Sequence, residues 1–115
     1  MSNKIIGVAI EVHKTLGPGF IEKIYERALV YEFQKREIEF TNQRVIQVRY
    51  KEIELGNQRI DFLIEDEIIL ELKAVSQIDE LHIAQMLSYL KATNKKLGLI
   101  LNFAKPTLEI KRVIN

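Results

Sequence analysis

The chain has 115 residues, 47% hydrophobic and 29% charged, with 17 Lys+Arg against 16 Asp+Glu and a formal net charge of +1. That composition suits one folded domain around one core, and any contact with nucleic acid must come from local clustering of charge rather than from the global field. Zero cysteines exclude disulfides, thiolate-held zinc and iron–sulfur clusters, while no run approaches the ~18 apolar residues of a membrane span and no leader pattern opens the chain, so the cytoplasm is the expected compartment.

No linker, repeat or low-complexity stretch divides the sequence, and residues 1–115 read as a single domain. Ile5, Ala9, Val12 and Leu16 recur at helical spacing and stop at Gly17-Pro18-Gly19. Glycine accepts the left-handed cap there, and proline cannot continue the ladder. A second helix carries Ile21, Ile24, Tyr25, Ala28, Leu29 and Phe33 as far as about Arg36. The period then changes to two. Ile46, Val48 and Tyr50 alternate with Gln47, Arg49 and Lys51, and Gly56-Asn57 reads as a turn. Two more alternating runs follow, Ile60-Phe62-Ile64 and Ile68-Leu70-Leu72, separated by Glu65-Asp66-Glu67.

Asp79 is a good N-cap for a helix running to Thr93, with Leu81, Ala84, Leu87 and Leu90 available as its apolar stripe. Leu97 to Phe103 is a nearly continuous apolar run, as expected of a strand covered on both faces. Leu108 to Ile114 fits strand or helix. The order α-α-β-β-β-α-β plus a tail implies an α/β fold with helices packed on a mixed sheet.

The hairpin around the acidic trio carries the chemistry. With Glu65 to Glu67 as its loop, Ile64 faces Ile68, Phe62 faces Leu70 and Ile60 faces Leu72, and a slip by one residue would bury charges instead. The same register sets Asp61 opposite Glu71 and Arg59 opposite Lys73. Two facing carboxylates repel unless a cation lies between them, and hard oxygen donors of this kind suit magnesium or manganese. The four charges also read as the solvated side of a hairpin. On the hairpin alone that plainer reading leads, since surface ion pairs are common and cheap.

Wider motifs shift the balance. Asp61 followed by Glu71-Leu72-Lys73 resembles the PD-(D/E)XK nuclease superfamily, with Ile60 where the superfamily's name has proline. Gly19-Phe20-Ile21-Glu22-Lys23-Ile24-Tyr25 resembles the GxxExxY signature of one small branch of it, and VHKTLGPGF, ELKAV, HIAQMLSYLKAT and GLILNF are similar to the same branch. Gln85-Met86-Leu87-Ser88-Tyr89 resembles the Q-h-x-x-Y motif of RecB-like and lambda-exonuclease-like nucleases. Gln85 and Tyr89 share one helix face with His82. A satisfied surface histidine accounts for His82 slightly better than a catalytic one.

The resemblance implies a restriction-endonuclease-like core, a mixed β-sheet flanked by helices, and metal-dependent hydrolysis of phosphodiester bonds in nucleic acid, DNA ahead of RNA. It implies Glu22, Asp61, Glu71, Lys73, Gln85 and Tyr89 as site residues. Asp61, Glu71, the Leu72 carbonyl and Glu22 would hold Mg²⁺ or Mn²⁺. Lys73 would orient the attacking water or stabilise charge on the phosphate. Glu22 is equally a helix N-terminal Glu favoured by the macrodipole. Lys91, Lys95 and Lys96 form the best basic cluster for a phosphate backbone, or a solvated helix end. Two other readings stay open: a nuclease-fold module that binds nucleic acid or protein without cleaving, and a resolvase-like homodimer.

Overall fold

The computed structural model describes residues 1–115. Its elements are α1 (Ser2–Leu16), α2 (Glu22–Lys35), β1 (Phe40–Tyr50), β2 (Ile53–Ile64), β3 (Ile68–Lys73), α3 (Glu80–Thr93), β4 (Leu97–Asn102) and β5 (Glu109–Ile114). The segment that fitted strand or helix is therefore strand. The five strands form one mixed sheet in the order β1-β2-β3-β4-β5. Only β3 and β4 run parallel, joined by α3 as the crossover; the other neighbours are antiparallel. No helix is long and apolar enough to cross a membrane.

Helices cover both faces of the sheet. On one side Ile5, Val8, Ala9 and Val12 of α1 and Tyr25, Leu29 and Phe33 of α2 bury against Phe62, Ile64, Leu70, Leu72, Leu99 and Leu101. On the other, Met86, Tyr89 and Leu90 of α3 pack on Ile46, Ile60, Leu63, Ile69 and Ile100. The central strands β3 and β4 are thus covered twice, which explains their continuous apolar runs. Gly98 of β4 lies under Met86, where any side chain would run into the thioether. α1 ends at Gly17, at φ 73°, whose amide closes on the His13 carbonyl.

Two local expectations are corrected. Gly56-Asn57 is not a turn but lies inside β2; the chain reverses at Lys51-Glu52. Gly56 pairs with Val48 where the β1–β2 register slips between Val48 and Arg49. Glycine marks a bulge here, which a single sequence does not distinguish from a turn. The stripe on α3 is also different. Leu81 is 78% exposed and Ala84 is exposed, while the core takes Met86, Tyr89 and Leu90, with Ile83 and Leu87 alongside. Steps of three residues lag the helix, so Leu81 and Leu90 lie about 180° apart around its axis.

Candidate active site

The β2–β3 ladder holds at Ile64/Ile68, Leu63/Ile69 and Phe62/Leu70, and then the backbone pairing ends. The turn between them is Glu65 to Glu67, with Glu65 and Asp66 in the left-handed region at φ 53° and 56°. Beyond Phe62, side chains take over from the ladder. The Asp61 amide donates to Glu71 Oε2 at 2.7 Å, and the Leu72 amide donates to Asp61 Oδ2 at 2.8 Å. Each carboxylate thereby satisfies an amide of the opposite strand.

This interlock changes the expected register. Phe62 faces Leu70 and Ile64 faces Ile68, but Ile60 does not face Leu72. Ile60 belongs to the core under α3, whereas Leu72 belongs to the core under α1 and α2. Arg59 does not face Lys73 either; it pairs with Val45 of β1. With amides given to carboxylates rather than to carbonyls, the β2–β3 ladder stops at Phe62, and the strand changes face at Asp61 while its pairing with β1 continues.

Burial and repulsion dominate the electrostatics. Glu71 is 7% exposed, and its pKa is pushed up to about 8 by loss of water and then by the Asp61 charge, against the Asp61 amide and the Lys73 ammonium. Burial also raises the Asp61 carboxyl, opposed first by the Leu72 amide. Lys73 Nζ donates to Gln85 Oε1 at 3.4 Å, which sets α3 beside the strand pair. Tyr89, one turn on, is buried with its hydroxyl 3.4 Å from Gln58 Oε1, and burial followed by the Glu71 and Asp61 charges raises its phenol. His82 stays out of this group. Its Nδ1 accepts from the Asp79 amide at 3.0 Å, and its own amide donates to Asp79 Oδ1 at 3.1 Å, closing a capping box.

Glu22 stands at the exposed rim, in the first turn of α2. Partial desolvation and then the Asp61 charge raise its carboxyl, while Lys73 and the Ala74 amide oppose the rise. Its position follows from the residues around it. The Tyr25 hydroxyl donates to the Gly17 carbonyl at 2.6 Å and accepts from the Phe20 amide at 3.2 Å, with the ring stacked on Phe103 at 4.4 Å. Gly19 supplies φ 114° inside the loop so pinned. Gly19 and Tyr25 thus fix the loop that aims the start of α2, where Glu22 stands. Glu22 senses the Asp61 charge without joining a tight cluster, since no three His, Asp or Glu side chains converge closely enough to enclose an ion.

A family model for the PD-(D/E)XK nuclease superfamily matches residues 1–113. The chain belongs to this superfamily. Its fold is similar to the crystal structure of SSO0001, with a TM-score of 0.63 at 14% identity over 81% of this chain and 49% of that one. It thus spans about half the length of that structure, and at this identity the likeness is one of fold. No curated protein matches the sequence.

Within this superfamily domain, three polar residues that sequence reasoning passed over support the site. Gln43 of β1 sits at φ 52°, where a non-glycine residue is strained by roughly 1–2 kcal/mol. Its Nε2 donates to Glu26 Oε2 at 2.9 Å and approaches Asp61 Oδ1 at 3.5 Å. Glu26 is itself 7% exposed and also accepts from Asn42 Nδ2 at 3.3 Å. A single carboxamide therefore spans two carboxylates. The third residue, Asn102, is fully buried at the end of β4. Its side chain donates to the Val75 carbonyl at 2.9 Å and accepts from the Val75 amide at 3.1 Å, fixing the loop that follows Lys73. The polar pair Asn42-Gln43 interrupting the start of β1 was the one visible hint.

Proposed function

We propose that this domain is a metal-dependent nuclease that hydrolyses phosphodiester bonds in nucleic acid, DNA first, at the Asp61–Glu71 pair. The interlock of those two carboxylates is the observation that carries the reading. A solvated charge ladder has no cause to bury Glu71 or to raise two carboxyl pKa values together. Carboxylates held out of water with raised pKa values cluster at reactive sites.

The donor set fits a hard divalent cation. Asp61 Oδ2 and Glu71 Oε2 are held by amides, and their partner oxygens supply further lone pairs. A cation of +2 would offset the burial that raises both groups and the Asp61 charge that adds to the rise of Glu71. Asp61, Glu71 and the Leu72 carbonyl would hold Mg²⁺ or Mn²⁺, with Glu22 completing the set from the rim. Such an ion supplies Lewis acidity and a bound water of lowered pKa.

The chain's own groups then divide the work. Asp61 is fixed in orientation by the Leu72 amide and Gln43, and Glu71 by the Asp61 amide. Lys73, held by Gln85, presents a cation to the phosphate and stabilises negative charge as it develops there. Gln85 acts through Lys73, and Tyr89 limits the water around Glu71.

The test is a panel of labelled single- and double-stranded DNA and RNA oligonucleotides incubated with Mg²⁺ or Mn²⁺. Cleavage by wild type and its loss in Asp61→Asn and Glu71→Gln support the reading. Binding with no cleavage under either ion would make the domain a silent binding module.

A further inference from the structure

We propose that the groove between β1 and the C-terminal half of α3 is the track for the phosphate backbone of a nucleic-acid strand leading to the Asp61–Glu71 pair. The groove encloses about 850 Å³. Arg44 and Arg49 of β1 line one side, Lys91 of α3 and Lys95 just beyond it the other, with Ile46 and Val48 among its apolar lining residues. Asp66 is the one acidic residue of the lining, and it is already paired with Lys95 at 3.3 Å. Arg44, Arg49 and Lys91 take part in no ion pair. Three cations held beside one another without anions repel, and an extended polyanion is the ligand that resolves the repulsion.

The cations have two independent origins. Lys91 and Lys95 complement the C-terminal dipole of α3 and would be expected there in any case. Arg44 and Arg49 have no such reason. They stand on a strand of eleven residues, Phe40–Tyr50, that contains no acidic residue, in a chain whose overall balance is +1. Lys96, which the sequence grouped with Lys91 and Lys95, lies outside the groove.

Continuity with the site comes from both walls. Arg44 directly follows Gln43, whose carboxamide approaches Asp61. Ser88, in the lining, directly precedes Tyr89, whose phenol senses the Glu71 charge. A backbone seated along Arg49, Lys91 and Arg44 is thus led toward the carboxylates. An acidic protein surface would need shape as well as charge; a sugar–phosphate strand needs only spaced cations with an apolar surface beneath its sugars and bases.

The identity of the ligand rests on the nuclease reading, so the test reads binding in EDTA, where cleavage plays no part. Fluorescein-labelled single-stranded and duplex oligonucleotides are titrated with the full chain, by anisotropy, across a salt series. The double variant Arg44→Gln/Lys91→Gln is compared with Lys4→Gln/Lys14→Gln, which removes the same charge from α1 on the far side of the sheet. Thermal melts check that both fold. Loss of two phosphate contacts should weaken binding by roughly 25- to 60-fold at about 0.1 M salt and flatten the log–log salt slope by about 1.4 (single strand) to 1.8 (duplex). The α1 variant should keep the wild-type slope.

Equal losses in the two variants, wild-type affinity in the groove variant, or no binding by wild type would each overturn the proposal. Wild-type affinity in the groove variant together with cleavage that depends on Asp61 would remove the groove and leave the nuclease reading standing. Groove-dependent binding without cleavage in Mg²⁺ or Mn²⁺ would do the reverse.

Discussion

Asp61 and Glu71 are bound to each other's strands: the Asp61 amide donates to Glu71 Oε2, and Asp61 Oδ2 takes the amide of Leu72, the residue after Glu71. Two carboxyl groups are held together by backbone donors. The amides set the geometry, while burial raises both carboxyl groups, helped by the Glu26 charge at Asp61 and by the Asp61 charge at Glu71.

The raised carboxyl groups make the fold pH-sensitive in an unusual direction. Glu71 titrates near 8 in the folded chain against an ordinary 4.5. Between those values the native state holds a proton that the unfolded state has lost, so stability falls as pH rises through the window. It is level below about 4.5 and again above about 8, and Asp61 acts in the same sense. The loss reaches up to about 1.4 kcal/mol per pH unit. In EDTA the melting temperature should drop by several degrees between pH 5 and pH 8, and Glu71→Gln should remove most of the slope. A wild-type melting temperature that rises over this range would refute the assignment.

Gln43 is expected to hold Asp61 and Glu26 apart. Gln43→Leu removes the donor shared by the two carboxylates and leaves the buried Glu26 with Asn42 alone. The expected loss is about 1–3 kcal/mol. Gln43→Glu should be worse, and more so at pH 8 than at pH 5, because it adds a third negative charge. Chemical denaturation at the two pH values checks both statements. A loss of the same size at either pH would reduce Gln43 to a packing role.

Much of this frame was legible in the chain. Gly17 stops α1, Asp79 caps α3, and the alternation around Glu65–Glu67 set Phe62 against Leu70 and Ile64 against Ile68. These features are encoded locally, by caps and by period. What escaped depends on distant contacts. The change of face at Asp61 needs carboxylates inserted between two strands, and periodicity knows nothing of it. Gly56 at a bulge looks like Gly56 at a turn until β1 is laid beside it. Gln43 and Glu26 come together from β1 and α2 only in the fold. The Gly19, Glu22 and Tyr25 spacing, by contrast, is local and legible, although the tyrosine hydroxyl that pins the loop is not.

That pin gives a third prediction. Tyr25→Phe keeps the ring on Phe103 but leaves the Gly17 carbonyl and the Phe20 amide without their partner. The fold should lose about 1–3 kcal/mol, with faster amide exchange confined to residues 17–22. If Glu22 completes the metal site, the affinity for Mn²⁺ should fall as well, although Tyr25 touches no ligand. Unchanged exchange at Phe20 would show that the loop holds itself.

The final prediction separates the charges of the site. Asp61→Asn and Glu71→Gln are nearly isosteric, and each removes a negative charge that a hard cation requires. Both should abolish calorimetric Mg²⁺ or Mn²⁺ binding and cleavage together. In EDTA at pH 8 both should melt no lower than wild type, because the repulsion is relieved while an amide oxygen still accepts the backbone donor. Lys73→Ala should act the other way. It removes a cation that opposes the rise of Glu22, Asp61 and Glu71, so the metal-free fold weakens at pH 8. The metal itself should still bind, since no ligand is lost, while cleavage slows by about 10²–10³-fold if the ammonium stabilises charge on the phosphate. Lys73→Arg restores a cation but not its compact shape, and should recover the stability at pH 8 more fully than the rate. Loss of metal binding in Lys73→Ala, or equal destabilisation of all the variants at every pH, would return these residues to the plain charge ladder that the hairpin alone suggested.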